Sequence, residues 1–365
     1  MEMRQKMRIL LKALVLLIYA MPSLAGPLFV GDFESGEVNK NGSSIDGFFI
    51  QALKGTSTYV PVGMGGAGPS SGLDTRVVPY ESIGGETVKP RAGKYFMRTE
   101  IFYSKDYTSI DGNGGTNKPR QTIALQHDNF LINYDEEAFV GFSIYTPKNY
   151  ATETGISGDR GQVMLLTCYS TTKSTFFSIS QYAPSNDNVA HWWLNYYKGD
   201  SSVYEANAQI YTIDLGRVAP DIGKWTDFVI RYKANPFSQT TNPAATGIPN
   251  SVNKTYYGNK GILQVWKSEG IVKSDGNREM SLKLNKVNTP VGLVPQSDQK
   301  LLLSFRAYKY GWHNNPTSIK SSIWYGFDEI KFGRAIADSA DYSSVAPGDQ
   351  EQSNAPLPPS SVSIN

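Results

Sequence analysis

A two-sheet antiparallel β-sandwich of the jelly-roll type is the fold this sequence predicts, and three observations predict it. Short runs that alternate apolar and polar residues recur along the chain, and each ends at Gly, Pro, Asn, Asp or Ser. Tyrosine (22 residues) and glycine (34 residues) are abundant, while the long Ala/Leu/Glu/Lys periodicity of helices is absent. More than ten such runs lie within about 300 residues, which favours a large jelly roll over a small immunoglobulin-like sandwich.

Taken in order, the chain opens with "MEMRQKMRILLKALVLLIYAMPSLAGP". Arg4, Lys6 and Arg8 precede an apolar stretch from Ile9 to Met21, and Ser23 and Ala25 supply small residues at the spacing a signal peptidase reads. Residues 1–25 therefore read as a secretory signal peptide cleaved after Ala25, with a secreted or periplasmic destination. No other segment is long and apolar enough to span a bilayer, so no membrane association is expected after cleavage. Cleavage removes four basic residues and one acid and leaves the mature chain with one net negative charge. That balance argues against nucleic acid as a partner. The single cysteine, Cys168, excludes an intrachain disulfide and sits in "QVMLLTCYS", which reads as a buried strand.

The predicted strands follow. "KYFMRTEIFYS" (94–104) places Arg98 and Glu100 on one strand face, either as a buried structural pair or as the floor of a polar cleft. Then come "QTIALQHDNFLINY" (121–134), "AFVGFSIYTP" (138–147), "GQVMLLTCYS" (161–170), "TFFSISQYA" (175–183), "HWWLNYYKG" (191–199) and "AQIYTIDLG" (208–216). The last are "WTDFVIRYKA" (225–234), "GILQVWKSEG" (261–270), "LLLSFRAYKYG" (301–311) and "IWYGFDEIKFG" (323–333). Residues 105–119 and 234–259 are long connections of the kind that often carry function. The domain is expected to occupy 26–335, and the polar segment 336–365, ending "APLPPSSVSIN", reads as a disordered tail.

Several chemistries find little support. Glycan hydrolases on concanavalin-like jelly rolls carry carboxylates in patterns such as E-x-D-x-x-E, and this chain has no such triplet. Glu136 and Glu137 are adjacent and so face opposite sides of a strand. The three histidines, His127, His191 and His313, lack zinc-site spacing, and no G-x-S-x-G elbow occurs. What remains is cationic and aromatic: in "LLLSFRAYKYGWHNN", Arg306, Tyr308 and Tyr310 alternate onto one face.

The order of segments resembles the jelly-roll polysaccharide lyases, the group that includes glucuronan lyases, heparin lyase I and alginate lyases. "DFESG" (32–36), "MRTEIFY" (97–103), "FVGFSIYTPKNY" (139–150), "IGKWTDFVIRYK" (222–233), "GILQVWKSEGIV" (261–272), "LLLSFRAYKY" (301–310) and "YGFDEIKFG" (325–333) carry the resemblance across nearly the whole mature domain. Three positions depart from the pattern. Phe102 stands where R-x-E-x-R has its second arginine, Arg306 and Tyr308 replace the Lys and Gly of K-x-G-x-Y, and "VMLLTCYS" has neither residue of a Q-x-H strand.

The resemblance implies cleavage of a uronic-acid glycan by β-elimination, with no catalytic cofactor and an anionic polysaccharide as partner. On it, Arg98 with Arg306 would neutralise the sugar carboxylate, and Glu100 would orient Arg98. Tyr310 would serve as base and acid, with His127 the alternative base. Gln126, Tyr308 and His313 would contact substrate. Glu34 and Asp328, on the opening and closing strands, would be candidate ligands for a structural calcium ion. The rival readings are a non-catalytic glycan-binding jelly roll and, more weakly, a glycoside hydrolase.

Overall fold

A computed structural model describes residues 28–34, 44–45, 48–54, 73–78, 81–83, 86–102, 120–133, 136–148, 150, 162–170, 175–184, 189–199, 209–234, 237–239, 254–256, 260–272, 278–289, 291–293, 300–310 and 322–348. Some strand positions, Gln126 and Tyr310 among them, are described by their backbone alone. The signal segment 1–25 and His313 lie outside the described residues.

The strands are β1 (Phe29–Gly31), β2 (Ser44–Ile45), β3 (Phe48–Lys54), β4 (Leu73–Val78), β5 (Glu81–Ile83), β6 (Glu86–Val88), β7 (Phe96–Phe102), β8 (Arg120–Gln126), β9 (Ile132–Asn133) and β10 (Ala138–Thr146). Next come β11 (Val163–Ser170), β12 (Thr175–Tyr182), β13 (His191–Gly199), β14 (Gln209–Arg217), β15 (Lys224–Lys233), β16 (Phe237–Gln239) and β17 (Lys254–Tyr256). The last are β18 (Gly261–Val272), β19 (Arg278–Thr289), β20 (Gly292–Leu293), β21 (Lys300–Tyr310) and β22 (Ser322–Arg334), followed by the one-turn helix α1 (Tyr342–Val345).

Eighteen of these strands form two large sheets, and β5 with β6 and β16 with β17 form two separate pairs. The eight-stranded sheet runs β19-β18-β15-β10-β22-β7-β4, with β1 on β22. The ten-stranded sheet runs β14-β13-β12-β11-β21-β8-β3-β2, with β9 on β21 and β20 on β13. The path neighbours pair antiparallel, and the C-terminal strands β21 and β22 lie in the middle of one sheet each. The fold is thus a β-jelly-roll sandwich, as the alternating runs predict.

One side chain in two from each sheet fills the space between them. Phe142, Phe228, Phe305, Trp192 and Phe332 are fully buried in one cluster, and Phe142 stacks on Phe228 with centroids 5.2 Å apart. Each large apolar side chain buried here stabilises the fold by about 1.5–3 kcal/mol. Cys168 belongs to this core, and burial pushes its thiol well up.

The outer face of the eight-stranded sheet is also covered. Every residue of β10 is buried, which happens only when both faces of a strand are packed. At one end Val78, Val88, Phe96, Tyr145 and Trp324 form a second cluster with Trp225. At the other end, the segment after β22 lies on Phe139, Val229 and Trp266 through Ala340 and Val345. Asp341 caps α1 by accepting from the Ser344 N–H at 2.8 Å, and Arg334 pairs with Asp338 at 2.9 Å. The expected boundary at residue 335 therefore moves: the packed chain continues to Gly348, and residues 349–365 lie outside the described residues. Polar composition concealed this because only a few scattered residues anchor the segment, Ala340, Val345 and Tyr342, whose ring meets Trp266 edge-on. The sheet makes room at Gly141, where a Cβ would stand 1.8 Å from the Val345 carbonyl oxygen. Among the described residues no helix is long and apolar enough to cross a membrane.

Candidate functional site

The outer face of the ten-stranded sheet is the chemically equipped one. In β21, Leu301, Leu303, Phe305 and Ala307 point into the core. Alternation sends Leu302, Ser304, Arg306 and Tyr308 to the other side. The Arg306 guanidinium lies 5.5 Å from the ring centroid of Tyr169 on β11. Arg306 is partly exposed, whereas Tyr308 is buried despite facing away from the core.

Strand register builds rows across this face. Tyr308 stands opposite Met164, then Ser180, Trp193 and Asp214 follow across β12, β13 and β14. A second row runs Ser304, Thr167, Ser178, Asn195 and Thr212, with the Thr212 hydroxyl donating to Asn195 Oδ1 at 2.8 Å. The Gln162 amide donates to the Ser180 hydroxyl at 3.1 Å. Ser304, Thr167, Ser178 and Ser180 are buried, so among the described side chains the exposed or partly exposed polar groups of this face are Arg306 in mid-sheet and those toward β13 and β14.

Beyond Ser180 the face becomes aromatic. Trp193 stacks on Tyr182 at 5.2 Å and lies 5.6 Å from His191, and its indole N–H donates to the Tyr182 carbonyl at 3.1 Å. His191 Nδ1 is 2.9 Å from Asp214 Oδ2. Sequence reasoning missed all four of these residues as members of a site. The alternation of "HWWLNYYKG" puts His191 and Trp193 on one face and was a usable signal. Their partners Asp214 and Tyr182 come from neighbouring strands that only pairing identifies.

Arg98 and Glu100 lie elsewhere. They sit on β7 in the eight-stranded sheet, on the same face as Phe96 of the outer cluster, while Met97 enters the core. The Arg98 guanidinium donates to Glu100 and lies 5.6 Å from the Trp324 ring centroid, and both charged residues are buried. The outer faces of the two sheets look away from each other across a sandwich about 10 Å thick. Arg98 and Arg306 therefore cannot meet on one sugar ring. The expectation of a shared site is corrected: of its two readings, the buried structural pair fits the structure.

His127 is also directed away from Arg306. It follows β8, and its Nδ1 accepts from the Asn129 N–H at 3.0 Å, capping a short 3-10 turn. Its ring lies 4.4 Å from Phe29 and 5.8 Å from Phe130 at the end of the core. Burial holds its pKa below the ordinary histidine value. Tyr310 and Gln126 remain on strands of the ten-stranded sheet, where Tyr310 pairs with Arg120 and Gln126 with Phe49.

Glu34 and Asp328 grip one segment from two sides. The N–H groups of Lys94 and Tyr95 donate to Glu34 Oε1 at 2.6 and 3.0 Å. Those of Arg91 and Ala92 donate to Asp328 Oδ2 at 2.8 and 3.3 Å, and that of Glu329 donates to Oδ1 at 2.8 Å. Burial pushes the Asp328 carboxyl up to about 8. Oxygens aimed at by N–H donors do not fit a calcium site, and no group of three or more metal-ligating side chains occurs among the described residues.

No family model and no curated protein matches the chain. Among solved structures it is similar to the endo-β-1,4-glucuronan lyase of the fungus Trichoderma reesei, at 14% identity and a TM-score of 0.49, covering 89% of this chain and 99% of that one. It is similar to the alginate lyase of Klebsiella pneumoniae at 8% identity and a TM-score of 0.43, covering 83% and 99%. It is also similar to the catalytic domain of the glycoside hydrolase family 131 protein of Coprinopsis cinerea, at 11% identity and a TM-score of 0.42, covering 90% and 100%.

Proposed function

We propose that the chain is an exported polysaccharide lyase that cleaves a uronic-acid-containing glycan by β-elimination on the outer face of the ten-stranded sheet. The observation that carries this reading is the partly exposed Arg306, set against Tyr169 and beside Tyr308, in the middle of a sheet face that becomes aromatic toward β12 and β13.

Elimination breaks the C5–H and C4–O bonds, forms a C4=C5 double bond and delivers a proton to the departing O4. The C5 proton is weakly acidic because the charge left behind must spread into a carboxylate that is already anionic. Arg306 would neutralise that carboxylate, an interaction that strengthens as charge develops. Tyr310, two residues beyond Tyr308 on the same strand, would take the C5 proton and return it to O4. Tyr308 would contact substrate.

A second reading, a glycan-binding face without catalysis, is favoured by the Trp193–Tyr182 stack alone. Hydrolysis is less favoured, because it needs two carboxyl groups across the bond. Among the described side chains of this face Asp214 is the one carboxylate, and it is held by His191 and by the Gly216 N–H at 2.7 Å. Incubating the exported protein with glucuronan, alginate, heparin-type and pectic polymers separates the three. A lyase yields the ultraviolet absorbance of an unsaturated uronate, a hydrolase yields reducing ends without it, and a binding protein yields neither. Absence of that absorbance on every polymer would remove the lyase reading.

A further inference from the structure

We infer that the Tyr182, His191, Trp193 and Arg217 group on β12–β14 is a second subsite of the same face, which stacks one sugar ring and reads its carboxylate. This rests on an anionic polysaccharide as ligand but not on any particular chemistry at Arg306. The group is built independently of the core. Trp192, Leu194 and Leu215 of these strands pack inward, while Tyr182, His191, Trp193 and Asp214 take the other face. Its rings are locked in place, since the Trp193 indole is held by the Tyr182 carbonyl and the His191 ring by the Asp214 carboxylate.

A bulge completes it. Gly216 has φ +107°, a region that favours glycine, and the register shift there brings Arg217 opposite His191. Arg217 is exposed, so the aromatic plate has a cation at its edge. Partly exposed rings bind the C–H faces of a pyranose, and a guanidinium beside them matches a carboxylate bidentately.

Spacing names the ligand class. Tyr308 and Trp193 are three strand steps apart, about 14 Å, and Arg306 and Arg217 are four steps apart across the sheet and four residues apart along it, about 23 Å. A single uronic acid cannot reach both cations, whereas a polymer with a carboxylate on successive rings can. The subsite therefore makes affinity depend on chain length and on a carboxylate well away from the bond that reacts.

The test compares the wild type with Trp193→Ala, Trp193→Phe and Arg217→Gln, each checked for an unchanged unfolding midpoint. Retardation in gels containing glucuronan or alginate reads binding, and kcat and KM are taken on the polymer and on its trisaccharide. Trp193→Ala and Arg217→Gln are expected to weaken polymer binding about tenfold each, to raise KM on the polymer, and to raise it less on the trisaccharide than on the polymer. Trp193→Phe should keep most of the affinity, and Arg217→Gln should lessen its salt dependence. Polymer that binds without being cleaved, and is released by these substitutions, would uphold the subsite while removing the lyase reading. Polymer binding that is absent in the wild type, or unaffected by both substitutions, would overturn the subsite.

Discussion

Arg98→Met is expected to cripple stability and spare turnover. Arg98 and Glu100 are 4% and 6% exposed, and the guanidinium donates to the carboxylate while lying over Trp324. Removing the cation strands a buried carboxylate, which costs about 3–5 kcal/mol, and the lost contact with the indole adds up to about 1 kcal/mol. Against a total of about 5–15 kcal/mol for an ordinary domain, this is a large share. With a urea m-value of about 3 kcal/mol/M, the midpoint should fall by about 1–2 M. The double variant Arg98→Met/Glu100→Leu removes both charges and keeps the volume, so it should return to within about 1 kcal/mol of wild type. Urea unfolding followed by tryptophan fluorescence reads all the variants, and turnover is normalised to the folded fraction. A single variant with an unchanged midpoint but collapsed kcat would refute this reasoning and return Arg98 to the chemistry.

Four further outcomes are expected. Tyr310→Phe should lose about 10²–10⁴-fold in kcat with polymer binding retained, and Arg306→Ala should lower kcat more than it raises KM; a rise in KM alone would make Arg306 a binding contact. His127→Gln should leave turnover near wild type; a loss of activity at unchanged stability would restore His127 as the base. Because burial lowers the His127 pKa below its unfolded value of 6.5, the unfolded chain binds more protons there. Stability should therefore fall as pH drops through 6.5 and below, and His127→Gln should flatten that fall in thermal melts across pH. Gly141→Ala should push the Val345 carbonyl off the sheet, cost about 1–3 kcal/mol and expose residues 335–348 to protease.

Much of the fold is legible in the sequence because a strand's period of two is a local property of the chain. "AFVGFSIYT" and "WTDFVIRYK" each predict a strand where β10 and β15 stand. The number of runs predicts two sheets, and the single cysteine predicts a core residue, which Cys168 is. Alternation also puts Arg306 and Tyr308 on one face. What alternation cannot say is which sheet a strand joins, or whether its second face meets solvent or a covering segment. Arg98 with Glu100 and Arg306 with Tyr308 look alike in sequence, as a charged residue two positions from a polar one in an aromatic strand. Pairing of β7 with β22 buries the first pair under the β6 side of the molecule, and pairing of β21 with β11 leaves Arg306 partly exposed on the outer face of the other sheet. Likewise His191 and Asp214 are 23 residues apart and become partners only through the β13–β14 register. Sequence by itself determined the strands and the alternation of their side chains, because those follow from the backbone. The tertiary structure alone decided which charges are buried in pairs and which stand partly exposed on an outer face, because burial and neighbourhood are set by pairings between residues far apart in the chain.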